Sequence, residues 1–177
     1  MEKKMNKLVF TLFFIVLNIK SIFGTEPYIK TPSPVIYLEN NLDEKDNLVY
    51  CLDTIGRDFA DKLHAHSCKP RVGDVQFRYD YDEKRIQTAT FDCKCVEVID
   101  EIKNGSRLGL FNCDPLSKLQ KFEYDPSAKE FRPGSNNDLC LAVNEESRKA
   151  GPFMARKLRI YNCINVENKF KRWIIKN

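Results

Sequence analysis

Apolar and polar residues alternate with a period of two in Val49-Tyr50-Cys51-Leu52-Asp53, Cys95-Val96-Glu97-Val98 and Arg107-Leu108-Gly109-Leu110-Phe111. Successive strand residues face opposite ways, so this alternation predicts half-buried strands. Such segments fall near 35–38, 48–53, 62–68 and 75–80, then near 85–89, 94–99, 107–113 and 120–125, then near 130–133, 139–144, 157–163 and 170–175. No segment keeps a helical rhythm. Turn signals separate the strands, among them Asn104-Gly105-Ser106, Asp125-Pro126-Ser127 and Pro133-Gly134-Ser135-Asn136. About twelve short strands make an all-β reading.

The segments come in three sets, and the cysteines keep the count. Cys51, Cys95 and Cys140 are 44 and 45 residues apart, while Cys68, Cys113 and Cys163 are 45 and 50 apart. Phe77-Arg78-Tyr79-Asp80 parallels Phe122-Glu123-Tyr124-Asp125, and Trp173 holds the corresponding place in the third set. Periods of this length mark stacked or ring-closed units. The expected organisation is an extended lead-in over 25–34, with Pro27, Pro32 and Pro34, then one domain over 35–177 with repeats at about 35–80, 81–125 and 126–177.

Residues 1–24 read as a secretory signal peptide: Lys3, Lys4 and Lys7, then an apolar run over Leu8–Leu17, then a short polar stretch to Gly24. The run is interrupted by Asn18 and Lys20, short of the ~20 apolar residues of a membrane span. Without this segment the 29 cations and 25 acids of the chain become 25 and 24, a balance that argues against a general nucleic-acid binder. A secreted chain with seven cysteines implies a disulfide framework. In each repeat a cysteine pair brackets one hairpin, which predicts Cys51–Cys68, Cys95–Cys113 and Cys140–Cys163. Each closes a loop of about 15 to 25 residues, worth about 3 kcal/mol in the chain-entropy picture. Cys93 is left over; on a strand it shares a face with Cys95, and either suits Cys113. A buried thiol and an intermolecular bridge are its other readings.

Cys51-Leu52-Asp53, a second cysteine after a short apolar strand, and then Gln120-Lys121-Phe122 resemble the ricin-B-type lectin domain. The Gln-x-aromatic mark is altered to Val75-Gln76-Phe77 and Lys171-Arg172-Trp173 in the other repeats. The resemblance implies a β-trefoil, three four-stranded repeats about a pseudo-threefold axis, and a sugar pocket within a repeat. In such a pocket a carboxylate accepts from neighbouring hydroxyls, an aromatic ring stacks on the sugar, and an amide secures the rim. The carried-over positions are Asp53, His66 and Asp74 in the first repeat, with Val75 at the other rim place. They are Glu97, Phe111 and Gln120 in the second, with Leu119. In the third, Ala142 replaces the acid beside Tyr161, and Phe170 and Lys171 hold the rim. Asp53 also reads as a turn acid, Glu97 as a solvated strand residue, and Phe111 and Gln120 as packing or bracing residues. Phe77, Phe122 and Trp173 are assigned to the core.

His64 and His66 share a strand face, but two imidazoles without a third ligand make a weak metal site, so no metal or other cofactor is expected and a solvent-facing or sugar-platform role is preferred. From Cys140 onward there are nine cations against three acids. Arg156, Lys157, Arg159, Lys169, Lys171 and Arg172 form a candidate patch for an anionic partner, either a sulfated or sialylated glycan or an acidic protein face. No nucleophile elbow, phosphate loop or metalloprotease motif is present, so an enzyme is not expected. Asn104-Gly105-Ser106 is an N-glycosylation sequon. The expected function is a secreted lectin that binds glycans or glycoproteins and stays at a cell surface through binding. A degenerate trefoil serving as a protein-binding or structural module is the alternative.

Overall fold

Twelve strands are present among the described residues, each at a place where the alternation predicts one. The computed structural model describes residues 29–55, 62–70, 73–91, 93–134 and 136–177; the expected signal peptide and the start of the lead-in lie outside them. The strands are β1 (Val35–Leu38), β2 (Tyr50–Thr54), β3 (Leu63–Ser67), β4 (Phe77–Asp80), β5 (Arg85–Thr88), β6 (Lys94–Val98), β7 (Leu108–Asn112), β8 (Phe122–Asp125), β9 (Glu130–Pro133), β10 (Leu139–Ala150), β11 (Phe153–Asn162) and β12 (Trp173–Lys176). Every pairing is antiparallel, and β1 pairs with β12 so that the first strand meets the last. No helix among the described residues is long and apolar enough to cross a membrane.

Three hairpins share one register. Cys51 lies opposite His66, Cys95 opposite Phe111, and Cys140 opposite Tyr161. In each, the N–H of the second cysteine donates to the carbonyl two residues before the first: Cys68 to Val49, Cys113 to Cys93, Cys163 to Asp138, at 2.8 to 3.0 Å. The inward sides of these strands and of their neighbours meet in one core. Phe77, Phe122 and Trp173 are fully buried there, as their period predicts, and the Trp173 indole N–H donates to the Leu141 carbonyl. Burying a side chain of this size is worth about 1.5–3 kcal/mol.

The third hairpin departs from expectation by being longer. The sequence suggests strands at 139–144 and 157–163, whereas β10 runs on to Ala150 and β11 starts at Phe153. Gly151, at φ 63°, takes the left-handed turn that joins them, a conformation that costs glycine little. The register shifts between Val143 and Ser147, and the Asn144 side chain fills the gap by accepting from the Lys157 N–H. The outer half of β11 then pairs with β3, placing Ala155 opposite His66 and Lys157 opposite His64. This arm covers the first hairpin, which is why β2 and β3 are buried at every position instead of alternately.

Two of the expected bridges form, Cys51–Cys68 and Cys95–Cys113. The third does not: Cys140 and Cys163 are free thiols. Burial raises both thiol pKa values, and at Cys140 a hydrogen bond to Cys163 raises it further. The thiolate is the species that attacks in disulfide formation, so this environment slows closure. Cys93 is also corrected. It is exposed, lies one residue before β6, and has φ 55°, so the strand alternation that would align it with Cys95 does not apply.

Candidate functional site

The three hairpins carry the three expected sugar positions, and the structure treats each differently. In the first, Asp53, His66 and Asp74 do come together, but around a cation the sequence reading passed over. Lys69 Nζ lies 2.9 Å from Asp53 and 2.8 Å from Asp74. Asp53 is completely buried, and the His64 and His66 rings each sit 3.6 Å from its carboxylate. Neither histidine faces solvent or offers a platform. Phe153 of the arm packs its ring edge-on to His66, and Arg148 bonds to His64 Nδ1 at 3.0 Å. Burial lowers the His66 pKa, which keeps the ring neutral. The first position is therefore a closed polar cluster, and the expected ligands Asp53, His66 and Asp74 are occupied by protein. Among the described residues no group of three or more His, Cys, Asp and Glu side chains is arranged to hold a metal ion.

The second position is open. Glu97 on β6 faces Gly109 on β7, so no side chain stands directly across from it. Phe111 lies two residues along from Gly109 on the same strand face, with its ring exposed. Ser117, ahead of the short 3-10 turn Lys118–Gln120, adds a hydroxyl 3.4 Å from the carboxylate. Gln120 corrects the expectation of a ligand amide. It is 1% exposed, donates to Glu97 Oε2 at 2.7 Å and to the Asn112 carbonyl at 2.9 Å, and accepts from the Asp114 N–H. Its groups are all spent, so it fixes the acid rather than touching a ligand. Both hydrogen bonds to Glu97 from the described residues fall on Oε2, leaving Oε1 with none.

The third position lacks the acid but has a pocket of about 230 Å³ beside Tyr161. Asn144, Glu145, Asn165 and Glu167 line it, with Phe170 at its side. The sequence reading missed these polar residues because they belong to the lengthened arm and the turn after β11. Lys171, expected at the rim, turns inward to the Cys163 carbonyl at 2.8 Å and to Glu130 at 3.2 Å.

The basic patch is not one surface. Arg156 is buried, with its guanidinium on Asp43 at 2.6 Å and on the carbonyls of Asn144 and Glu145. Lys169 pairs with Glu167, Lys171 with Glu130 and Arg172 with Glu39. Only Lys157 and Arg159 of the six form no ion pair among the described residues. Asn104 is exposed, and its side-chain oxygen accepts from the Asn162 N–H, while the Ser106 hydroxyl of the sequon is buried on the Glu101 carbonyl.

No protein-family model matches the sequence, and no curated protein matches it. Solved structures do. The β-trefoil lectin of the Vibrio vulnificus hemolysin/cytolysin, determined with N-acetyl-D-lactosamine bound, superposes with a TM-score of 0.53 at 16% identity, over 81% of this chain and 92% of that one. The mdaA-1 domain superposes at 0.57 with 15% identity, over 85% and 94%. GalNAc-T7, determined with UDP, GalNAc and Mn2+, matches at 0.52 with 16% identity; 96% of this chain is covered, and it spans 26% of that chain. The chain thus has an all-β fold similar to that of these β-trefoil structures.

Proposed function

We propose that this protein is a secreted carbohydrate-binding lectin of the ricin-B type, built as three four-stranded repeats, whose working pocket is the second one. The observation that carries this reading is the Glu97 carboxylate, held by Gln120 with Oε1 left over, beside the exposed Phe111 ring. A carboxylate oxygen with no donor among the described residues suits a pair of sugar hydroxyls, and an exposed ring suits the apolar face of a hexose. The likeness to a β-trefoil lectin that holds N-acetyl-D-lactosamine supports the same class of ligand. The role is recognition or adhesion rather than catalysis, with glycans or glycoproteins as partners.

A glycan-array screen of the disulfide-intact protein tests this. Binding to a neutral sugar that is lost in Glu97→Ala and in Phe111→Ala is the expected result. Binding indifferent to both variants overturns the choice of pocket. No binding to any glycan overturns the lectin reading in favour of a protein-binding or structural module, which the closed first position favours.

A further inference from the structure

A second pocket, of about 240 Å³, lies where the three hairpins converge, bordering the closed first position at His64 and apart from the Glu97 and Tyr161 positions. Its residues come in sets that follow the cysteine period. Leu63, Leu108 and Leu158 each stand five residues before the second cysteine of their hairpin and line the pocket with apolar surface. Lys62, Arg107 and Lys157 stand one residue earlier in each and bring three cations around it. Arg148, Arg156 and Arg159 add three more from the third hairpin and its arm, Arg156 being the one paired with an acid, Asp43.

Among the described residues no carboxylate lines this pocket. Lys62, Arg107, Lys157 and Arg159 form no ion pair among the described residues, in contrast to Lys169, Lys171 and Arg172 elsewhere on the third repeat. Cations gathered from separate hairpins around apolar walls repel one another, and an oxyanion relieves that repulsion. Arginine in particular offers paired N–H donors that match the oxygens of a sulfate or phosphate. The volume is below the ~300–1,000 Å³ of pockets that enclose drug-sized ligands, so it suits one small unit.

We propose that this convergence pocket binds a sulfate or phosphate ester carried on a small ring, with the ring resting on the three leucines and the ester held by Arg107, Lys157 and Arg159. The site is independent of Glu97. It accounts for the local excess of cations that the sequence shows in the third repeat, and it recruits Arg107 and Lys62 from the other two.

Calorimetric titration of the disulfide-intact protein with N-acetylglucosamine 6-sulfate, N-acetylglucosamine 6-phosphate and unsubstituted N-acetylglucosamine tests the proposal. One or both esters bind, the tighter one naming the source, and the parent sugar binds at least tenfold more weakly at this site. The triple variant Arg107→Gln, Lys157→Gln, Arg159→Gln loses ester binding at least tenfold. These side chains make no hydrogen bond within the described protein, so the variant keeps the parent circular dichroism spectrum and melting temperature. Glu97→Ala and Lys169→Gln leave ester binding unchanged. Absence of ester binding, equal binding of the parent sugar, or equal affinity in the triple variant overturns the proposal; loss of neutral-sugar binding in Glu97→Ala bears only on the other pocket.

Discussion

The hydroxyl of Tyr79 donates a 2.6 Å hydrogen bond to the carbonyl of Phe122, joining the aromatic strand of the first repeat to that of the second. Tyr124, the matching residue, donates in turn to the carbonyl of Trp173 at 2.9 Å. The third place is Ile175, which has no hydroxyl, so the relay stops there. Burial pushes the Tyr79 phenol up to about 12, so it keeps its donor proton throughout the neutral range.

Tyr79→Phe removes the donor and leaves a buried carbonyl short of a partner; Phe122 lies opposite Pro133, which has no N–H to offer. The expected cost is about 1–3 kcal/mol, read as a melting temperature lower by roughly 2–4 °C per kcal/mol. Tyr124→Phe costs less, because that hydroxyl is only partly buried. Equal stability of Tyr79→Phe and the parent would show that the bond contributes nothing net.

At Asp53 the closed cluster predicts an effect on stability, not on sugar. Asp53→Ala leaves Lys69 with Asp74 alone and opens a buried polar space, at a cost of about 1–3 kcal/mol. Glycan binding stays at the parent level. A variant as stable as the parent but devoid of binding would restore Asp53 as a ligand.

The arm carries a pH signature through Asp43. Burial alone would raise this carboxyl, but hydrogen bonds from Ser147, Arg156 and Tyr50 outweigh it and hold the group at about 2, against an ordinary 3.8. A carboxyl whose folded pKa is depressed contributes stability that is present above the unfolded value and lost as pH falls through the folded one. Asp43→Asn is therefore less stable than the parent at neutral pH, and the gap shrinks between about pH 4 and pH 2. Chemical denaturation of both proteins across that range reads the gap directly; a constant gap would place the stabilisation elsewhere.

The thiols differ in reactivity. A disulfide exchange reagent added to the native, non-reduced protein should label one cysteine at once, the exposed Cys93, with Cys140 and Cys163 following slowly. Unfolding without reductant should raise the count to three. A count of one after unfolding would mean that Cys140 and Cys163 are bridged in the isolated protein.

Much of the site's framework was legible because it is local. Gln120 and Glu97 could be placed through the resemblance to the ricin-B type, which carries each over at a fixed step from a cysteine or a core aromatic. Their roles could not: whether an amide faces a ligand or braces an acid depends on the turn at Ser117 and on the Asp114 N–H, which spacing does not describe. Lys69 went unread for a similar reason. A lysine after a cysteine carries no pattern, and only the fold places it between Asp53 and Asp74.

The sequence by itself determined where the strands fall, their period, the core aromatics Phe77, Phe122 and Trp173, and two of the bridges. All of these follow from side chains that alternate along a strand or recur with a repeat. Tertiary structure decided which acid stays open, because the polar arm from Asn144 to Lys157 has no apolar rhythm of its own and becomes strand by pairing with the edge of β3. That pairing buries Asp53, while Glu97 stays half-buried across from a glycine. It also separates the cations of the third repeat into those neutralised by nearby acids and those left facing Arg107 and Lys62, since charge along a chain says nothing of the carboxylates that folding brings beside it.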